Sequence, residues 1–347
     1  MEIIRIKLYS EEPHISQILT GFCMLEFLNK GEYKIEIASY PGSLRGAFVE
    51  AVYKGKKLIY DVSDGYQDIS AISELLNQCD FYFKRSYSHE KNCILGLKKS
   101  KKMHPLGFNY HVSCPFHPLD KPYWKEWIKG QLGIECNMYS NTYFTAQRFE
   151  ETPNYKKNGF RVLFATRLWE PEKSLSKQLN EERQYINEMR LNIIRKLKKM
   201  EEIEFIGGVS DNSFSRKIAS ELIMPEKMTN RRSYIKLLHT ADICIGTMGL
   251  HESIGWKTGE YVASAKAIVN ESLHYEVPGD FCKGKNYFEF TNQYDCVEAV
   301  ETLIADPDKI YEMKRENKEY YDKYLRPDRL IKNTLEKVET SMNNTTE

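Results

Sequence analysis

Short apolar runs alternate with amphipathic helical patterns along most of the chain. In the first half, the predicted elements are strands at residues 3–9, 33–39, 57–62 and 80–84 and helices at residues 15–28 and 69–78. Alternation of this kind is typical of a sheet of mainly parallel strands joined by crossover helices. The first half of the chain is therefore predicted to be an α/β domain.

A second alternation begins near residue 160. Its predicted elements are strands at residues 160–165, 203–206, 242–246, 267–270 and 287–290 and helices at 175–200, 234–239, 256–263, 296–305 and 308–324. The polar, turn-prone residues 154–159 are the predicted linker. The predicted domains are Rossmann-like ones at residues 1–157 and 158–325, followed by a C-terminal helix and polar tail at residues 326–347. In such sheets, ligands bind at the carboxyl ends of the strands.

Composition excludes several classes of protein. The chain has 50 Lys and Arg residues and 49 Asp and Glu residues, so it lacks the basic excess that marks nucleic-acid binding, and no nucleic-acid partner is expected. Its eight cysteines are scattered without a CxxC pair, which favours reduced thiols over disulfides or structural zinc. The N-terminus has no signal-peptide pattern and no apolar stretch is long enough to cross a bilayer, so a cytoplasmic protein is predicted.

Known catalytic motifs are also missing. The eight histidines show no metal-ligand spacing, and the sequence has no P-loop, no nucleophile elbow and no dinucleotide-binding glycine motif. Neither a metal nor a cofactor is expected.

The most informative segment is residues 241–271, ADICIGTMGLHESIGWKTGEYVASAKAIVNE, which reads as strand, loop, helix and strand. Seven residues separate Glu252 in the loop from Glu260 in the helix, and Gly255 lies just before the helix. A helix N-terminus offers N–H groups and a positive dipole end to a diphosphate, and Gly255 allows close backbone approach. Lys257, in the first turn, is best explained if it faces an anion.

This segment resembles the donor site of retaining, two-domain (GT-B type) nucleotide-sugar glycosyltransferases, whose Glu-x7-Glu motif reads roughly E-G-F-G-x-P-x-x-E. The resemblance implies that Glu252 contacts donor-sugar hydroxyls, Glu260 the ribose, and the amides near Gly255 the pyrophosphate. It extends the expected donor site to the neighbouring residues Gly249, Ser253, Ile254 and Lys257. Ser253 replaces the usual glycine and Lys257 the usual proline, which suggests a divergent branch, such as one of bacterial polysaccharide synthesis.

A second resemblance lies in residues 162–173, VLFATRLWEPEK. In the same family, the first strand of the donor domain ends in a G-R-L loop followed by a lysine, and both cations meet the donor phosphates. Arg167 and Lys173 are therefore expected to stabilise the departing diphosphate without a metal. The alternative for Arg167 is a surface ion pair with Glu170 or Glu172.

The resemblance implies two Rossmann-like domains that face each other across a cleft, with C-terminal helices that pack back toward the N-terminal, acceptor-binding domain. The expected activity is metal-independent transfer from a nucleoside-diphosphate sugar to a saccharide or lipid-linked acceptor, with retention at the anomeric carbon. Alternatives are an inverting transferase or a nucleotide-sugar epimerase on the same fold, and a degenerate transferase-like binding protein. An inverting enzyme needs a base, for which Asp61, Asp64 and His14 are candidates.

Other segments each have two interpretations. Residues 61–65 bind acceptor hydroxyls or form an Asx turn closed by Gly65. The basic residues 84–89 bind a phosphate or form a solvated loop. Gly207, placed just past a predicted strand, lies close to the nucleotide or forms a tight turn.

Two basic stretches are candidates for peripheral contact with the inner membrane surface. The first is residues 98–102, and the second is the predicted helix that contains Arg190, Arg195 and Lys196 together with apolar residues. An ordinary amphipathic surface helix explains the second stretch equally well.

Overall fold

A computed structural model of the chain describes residues 1–9, 13–39, 46–115, 117 and 144–344. The chain divides into two compact units, each built from a sheet and helices, so the predicted α/β class is confirmed. Unit 1 comprises residues 1–148, 274–280 and 320–347, and unit 2 comprises residues 149–273 and 281–319. The predicted linker, residues 154–159, lies in unit 2.

Eleven strands are found in the described part of the chain. They are β1 (Glu2–Leu8), β2 (Tyr33–Ser39), β3 (Phe48–Tyr53), β4 (Lys56–Asp61), β5 (Phe81–Lys84), β6 (Met103–Pro105), β7 (Arg161–Thr166), β8 (Glu204–Val209), β9 (Ile243–Gly246), β10 (Ala267–Glu271) and β11 (Phe288–Phe290).

The α-helices of the described residues are α1 (Ser16–Leu28), α2 (Ile69–Gln78), α3 (His89–Cys93), α4 (Leu97–Ser100), α5 (Lys177–Leu197), α6 (Ser213–Ala219), α7 (Glu226–Thr229), α8 (Arg231–Thr240), α9 (Trp256–Ala263), α10 (Gln293–Ala305), α11 (Pro307–Tyr320) and α12 (Pro327–Asn343). A π-helical turn, Tyr321–Leu325, links α11 to α12.

Unit 1 contains the sheet β2-β1-β3-β4-β5-β6, in which β3 runs antiparallel to both of its neighbours and the other pairs are parallel. The sequence analysis predicted neither β3 nor β6. Strand β3 joins β4 through Lys54 and Gly55, both with positive φ (46° and 73°). Two such residues form the tight hairpin turn that matches the twist of antiparallel strands.

Helix α12 packs against α1 inside unit 1, in agreement with the expectation that the C-terminal helix returns to the N-terminal part of the fold. The two helices approach so closely that a Cβ at Gly21 would clash with Pro327 O. The hydroxyls of Tyr60 and Thr334, 2.8 Å apart, also join β4 to α12. The last helix is therefore part of the core of unit 1.

Unit 2 contains the fully parallel sheet β11-β10-β9-β7-β8. The chain runs from β7 to β8 on one side and then crosses to β9 on the other side of β7. Such a reversal opens a crevice at the carboxyl ends of the two strands, where ligands of open α/β sheets bind. All five strands predicted for this half are present.

No helix of the described residues is both long and apolar enough to span a bilayer. Seven of the eight cysteines are described, and all seven are free thiols, four of them buried. Cys136 lies outside the described residues.

Candidate functional site

The predicted segment 241–271 has the expected order of strand, loop, helix and strand. Strand β9 ends at Gly246, helix α9 begins at Trp256, and β10 follows with five buried residues. The β9 loop (residues 247–255) therefore leaves the sheet at its carboxyl edge, next to the β7 loop (residues 167–176). These two loops flank the point where the strand order reverses, which makes them the candidate site.

Arg190 of α5 joins the two loops. Its side chain donates to the carbonyl oxygens of Arg167 (2.7 Å) and Met248 (2.8 Å) and to the Thr247 hydroxyl (3.0 Å). Burial lowers the pKa of Arg190 to about 10, while nearby Glu271 acts in the opposite direction, so the guanidinium stays charged at neutral pH. The planar fork of an arginine can hold several acceptors at once, and here it fixes the spacing of the β7 and β9 loops.

The β7 loop is held a second time by Asn187, also on α5. Its amide accepts from Trp169 N (2.8 Å) and donates to Trp169 O (2.7 Å). The Arg167 guanidinium lies over the Trp169 ring, 3.7 Å from its centroid, and is exposed at the end of β7. Glu172 pairs with Arg183 at 2.7 Å. Arg167 thus occupies the strand end where the sequence analysis placed it.

Lys173 is exposed in the turn before α5. Within the described part of the chain, no hydrogen bond or ion pair joins it to the other predicted site residues. Its role at the diphosphate stays a prediction.

The β9 loop carries an unfavourable backbone at its tip. His251 and Glu252 both have left-handed φ values, 60° and 59°, which are disfavoured for residues with a side chain. Both backbone N–H groups point to one oxygen of Glu182, at 2.5 and 3.3 Å. The Glu252 side chain is exposed. Strained backbone of this kind concentrates at functional sites.

Two glycines shape the same loop. Gly249 N donates to Ser253 O at 2.8 Å, and a Cβ at Gly249 would lie 2.5 Å from Ser253 Oγ. Gly255 is the N-cap residue of α9, and no side chain caps this helix. Ser253 and Ile254, between them, are buried.

Glu260 lies in a different environment from Glu252. Its side chain is only 4% exposed and pairs with Arg231 of α8 at 2.8 Å, while the hydroxyl of Tyr234 donates to its other oxygen at 2.8 Å. Burial favours the protonated form, but Arg231 and Lys257 outweigh burial and hold the pKa of Glu260 below its ordinary value. Contact with a ribose would use the remaining lone pairs of this carboxylate or displace one of its donors.

Lys257, which is half-buried, lies beside Glu260 and Tyr234. Its ammonium lies 3.8 Å from the centroid of the Tyr234 ring. Burial lowers the pKa of Lys257 to about 8, although Glu260 raises it and Arg231 lowers it further. The first turn of α9 therefore holds a lysine that gives up its proton more readily than an ordinary one.

The position of Gly207 corrects the sequence analysis. It lies inside β8, not past its end, so the tight-turn interpretation is wrong. A Cβ at Gly207 would clash with Phe164 O on β7, and one at Gly208 with Leu222 O. Packing against neighbouring backbone explains both glycines.

The sequence analysis missed several residues of this site. Arg190 was assigned to a basic surface helix, yet its side chain is buried. The apolar residues of α5 are buried too and face the core of unit 2, so they are not available to a bilayer. They are Leu191, Ile193, Ile194 and Leu197. Glu271, buried at the end of β10, accepts from Met248 N at 2.9 Å. Glu271 could have been predicted as a site residue, because its carboxylate follows a buried apolar strand and so lies at the carboxyl edge of the sheet.

A narrow recess lies between the β9 loop and the end of β10. Its lining residues are Thr247, Met248, Glu252, Ser253, Ile254, Gly255, Asn270, Glu271, Ser272 and Leu273. The recess is too narrow to admit even a water molecule, so it is a closely packed part of the site and not a ligand pocket.

In unit 1, the loop after β4 has the structure of the predicted Asx turn. Ser63 N donates to Asp61 Oδ1 at 2.9 Å, and Gly65 has a φ of 65°. The other Asp61 oxygen accepts from Lys84 at 2.9 Å and from Tyr82 at 2.6 Å. Burial opposes the charge of Asp61, but Lys84 and these hydrogen bonds hold its pKa below the ordinary value. Asp61 is therefore poorly suited to act as a base at neutral pH.

The other unit 1 candidates also have protein partners. Lys84 is fully buried against Asp61, so it does not belong to a solvated loop. Asp64 pairs with Arg85 at 2.6 Å. The carbonyl of His14 accepts from the Asn109 amide at 2.9 Å, and residues 10–12 before it lie outside the described residues.

No protein-family model and no curated protein matches the chain. Solved structures do match it. The C-terminal domain of a group 1 glycosyl transferase family protein (LpcC) from Francisella tularensis is 14% identical over 51% of this chain and 95% of that one, with a TM-score of 0.36. A glycosyltransferase from Rickettsia africae is 12% identical over 97% and 84% of the chains, with a TM-score of 0.39.

Anabaena Alr3699/HepE, solved in complex with UDP, is 11% identical to this chain over 98% of it and 100% of that chain, with a TM-score of 0.39. At such identities and TM-scores, these likenesses do not establish the family or the activity of this chain.

Replacing Arg190 tests whether it joins the two loops. Arg190→Met removes the donors to Arg167 O, Met248 O and Thr247, so we expect the free energy of unfolding to fall by about 2–4 kcal/mol. Urea denaturation followed by tryptophan fluorescence measures the change. Arg195→Met is the matched control, because Arg195 is exposed on the same helix and pairs with Glu221, and it should change stability by less than about 1 kcal/mol. Equal losses in the two variants would contradict the assignment.

Proposed function

We propose that the chain is a glycosyltransferase that binds a nucleoside-diphosphate sugar at the β7 and β9 loops and transfers the sugar to a saccharide or lipid-linked acceptor. The observation that carries the proposal is the reversal of strand order between β7 and β9, where Arg190 joins the two loops. Around this point lie an exposed arginine at a strand end, a strained turn with an exposed carboxylate, and the start of α9.

The charges of these residues support binding of a diphosphate. The start of α9 contributes the positive end of the helix dipole, and Lys257 lies in its first turn. Arg167 adds a guanidinium at the end of β7, positioned by the Trp169 ring. In the proposed reaction these cations stabilise the charge that develops on the leaving nucleoside diphosphate, which is the task that a metal ion performs in other transferases.

The two carboxylates have different proposed roles. Glu252 is exposed on the strained turn and accepts hydrogen bonds from hydroxyls of the donor sugar. Glu260 is buried with Arg231 and Tyr234, so it holds the cations of α8 and α9 in place and reaches the ribose at most through its remaining lone pairs. Retention at the anomeric carbon is part of the proposal and rests on the Glu-x7-Glu resemblance.

Two alternatives have different support. An inverting transferase needs a base, and the low pKa of Asp61 in its ion pair with Lys84 weighs against that residue. A transferase-like binding protein is favoured by one observation, that both oxygens of Glu260 already accept from protein donors. The anomeric configuration of the product, read by NMR, separates retention from inversion.

Variants of the two carboxylates test the proposed roles. Glu252→Ala should lower kcat by about 100-fold, because it removes contacts to the reacting sugar, and should leave the affinity for free nucleoside diphosphate within about threefold. Glu260→Gln should weaken nucleotide binding, because Glu260 raises the pKa of Lys257 and its loss lets the ammonium give up its proton more readily. A screen of UDP-, GDP-, CDP- and ADP-sugars by thermal shift and turnover selects the donor.

Glu298→Ala is the control for this series, because Glu298 is exposed on α10. It should behave as the unmodified chain does. Stabilisation by none of the four sugar nucleotides, or Glu252→Ala with full turnover, would contradict the proposal.

The low pKa of Lys257 predicts a pH dependence of nucleotide binding. A bound diphosphate favours the charged ammonium, so binding above pH 8 requires uptake of a proton. The affinity should therefore fall as pH rises through about 8, by up to about tenfold per pH unit. Calorimetry between pH 7 and 9.5 measures this.

Lys257→Met should bind weakly at every pH and show no such slope. Lys236→Met, on the exposed side of α8, should keep the slope of the unmodified chain. An affinity that is constant across this range would show that Lys257 does not face the diphosphate.

A further inference from the structure

We infer that Glu182 of α5 is the positioning residue that holds Glu252 in its active orientation. The expected effect of Glu182 on turnover rests on the proposed function. The expected effect of Glu182 on the loop backbone rests only on its hydrogen bonds. Nothing in the sequence pattern drew attention to Glu182, which lies on a charged helix 70 residues before Glu252.

Glu182 binds the strained part of the β9 loop directly. One of its carboxylate oxygens accepts from His251 N at 2.5 Å and from Glu252 N at 3.3 Å. His251 has φ 60° and ψ 35°, and Glu252 has φ 59°. Two successive left-handed residues turn their N–H groups toward the same side, so a single anion can accept from both.

The carboxylate offsets the cost of this backbone conformation. Residues with a side chain adopt left-handed φ values only where surrounding contacts enforce them. Hydrogen bonds from backbone N–H groups to a carboxylate are stronger than those to a neutral acceptor. Glu182 is half-buried, which limits competition from water for the two N–H groups.

Helix α5 holds both parts of the β9 loop from one side. Glu182, Ile186 and Arg190 follow one another at four-residue spacing, which places them on one face of the helix. Ile186 is buried, so this face packs against unit 2. Arg190 binds Thr247 and Met248 at the start of the loop, and Glu182 binds the tip.

Loss of Glu182 should let the tip relax toward ordinary backbone angles. The side-chain direction of Glu252 depends on those angles, so its carboxylate would leave the position from which it contacts the sugar. The start of α9, which binds the diphosphate in the proposed function, lies outside the part of the loop that Glu182 holds. Turnover should therefore suffer more than nucleotide binding.

The test compares Glu182→Ala and Glu182→Gln with Glu181→Ala. Glu181 is the neighbouring residue, exposed and paired with Lys177 at 3.6 Å, so its removal changes the same charge on the same helix. Hydrogen exchange of the His251 and Glu252 amides is measured first. In Glu182→Ala these amides should exchange about tenfold faster or more, in Glu182→Gln by an intermediate amount, and in Glu181→Ala at the unmodified rate.

Kinetics follow on the same proteins. Glu182→Ala should lower kcat by about tenfold to 100-fold, since a misplacement of about 1 Å in a reacting group has an effect of this size. The dissociation constant of the nucleoside diphosphate should change by less than about threefold. Glu182→Gln, whose amide oxygen can still accept, should recover part of the turnover.

For the hydrogen-exchange experiment, amides of the β4–β5 region in unit 1 serve as the internal reference for global unfolding.

The outcomes separate this inference from the proposed function. Unchanged exchange at residues 251 and 252 in Glu182→Ala overturns the inference, whatever the activity. Faster exchange with unchanged kcat also overturns it, and so does tighter nucleotide binding, which would make Glu182 a competitor of the ligand. Faster exchange in a chain that turns over no sugar nucleotide supports the contact and refutes the proposed function.

Discussion

The guanidinium of Arg190 fixes the geometry on which the rest of the candidate site depends. Parallel strands β7 and β9 place their loops side by side, but backbone loops alone do not hold a fixed spacing. Arg190 supplies three hydrogen bonds across the gap, to Arg167 O, Met248 O and Thr247 Oγ1. Because this arginine is buried, it is sheltered from solvent, and its removal would leave those acceptors without their donor.

Near this arginine, the two carboxylates of the predicted motif lie in different environments. Glu252 is exposed on a strained turn, whereas Glu260 is buried and surrounded by Arg231, Tyr234 and Lys257. A spacing of seven residues brings both to one end of the sheet, but the local environment decides what each can do. In the proposed function, the exposed one contacts the donor sugar and the buried one keeps neighbouring cations in position.

The sequence allowed prediction of those parts of the fold that depend on local pattern. The strands of unit 2 and the start of α9 at Trp256 follow from apolar runs and a glycine before a helix. Strand β3 was missed because its hairpin depends on a two-residue turn at Lys54 and Gly55 within an otherwise alternating α/β pattern. The partners Arg190 and Arg231 could not be predicted, since packing over long sequence distances brings them to the site.

The most direct test of this account is a crystal structure of the chain with the nucleoside diphosphate that stabilises it most. The account predicts that the phosphates lie at the start of α9, between Arg167 and Lys257, and that Arg190 keeps its bonds to both loops. Phosphates bound away from the carboxyl ends of β7 and β9, or a complex in which Arg190 has released the loops, would contradict it.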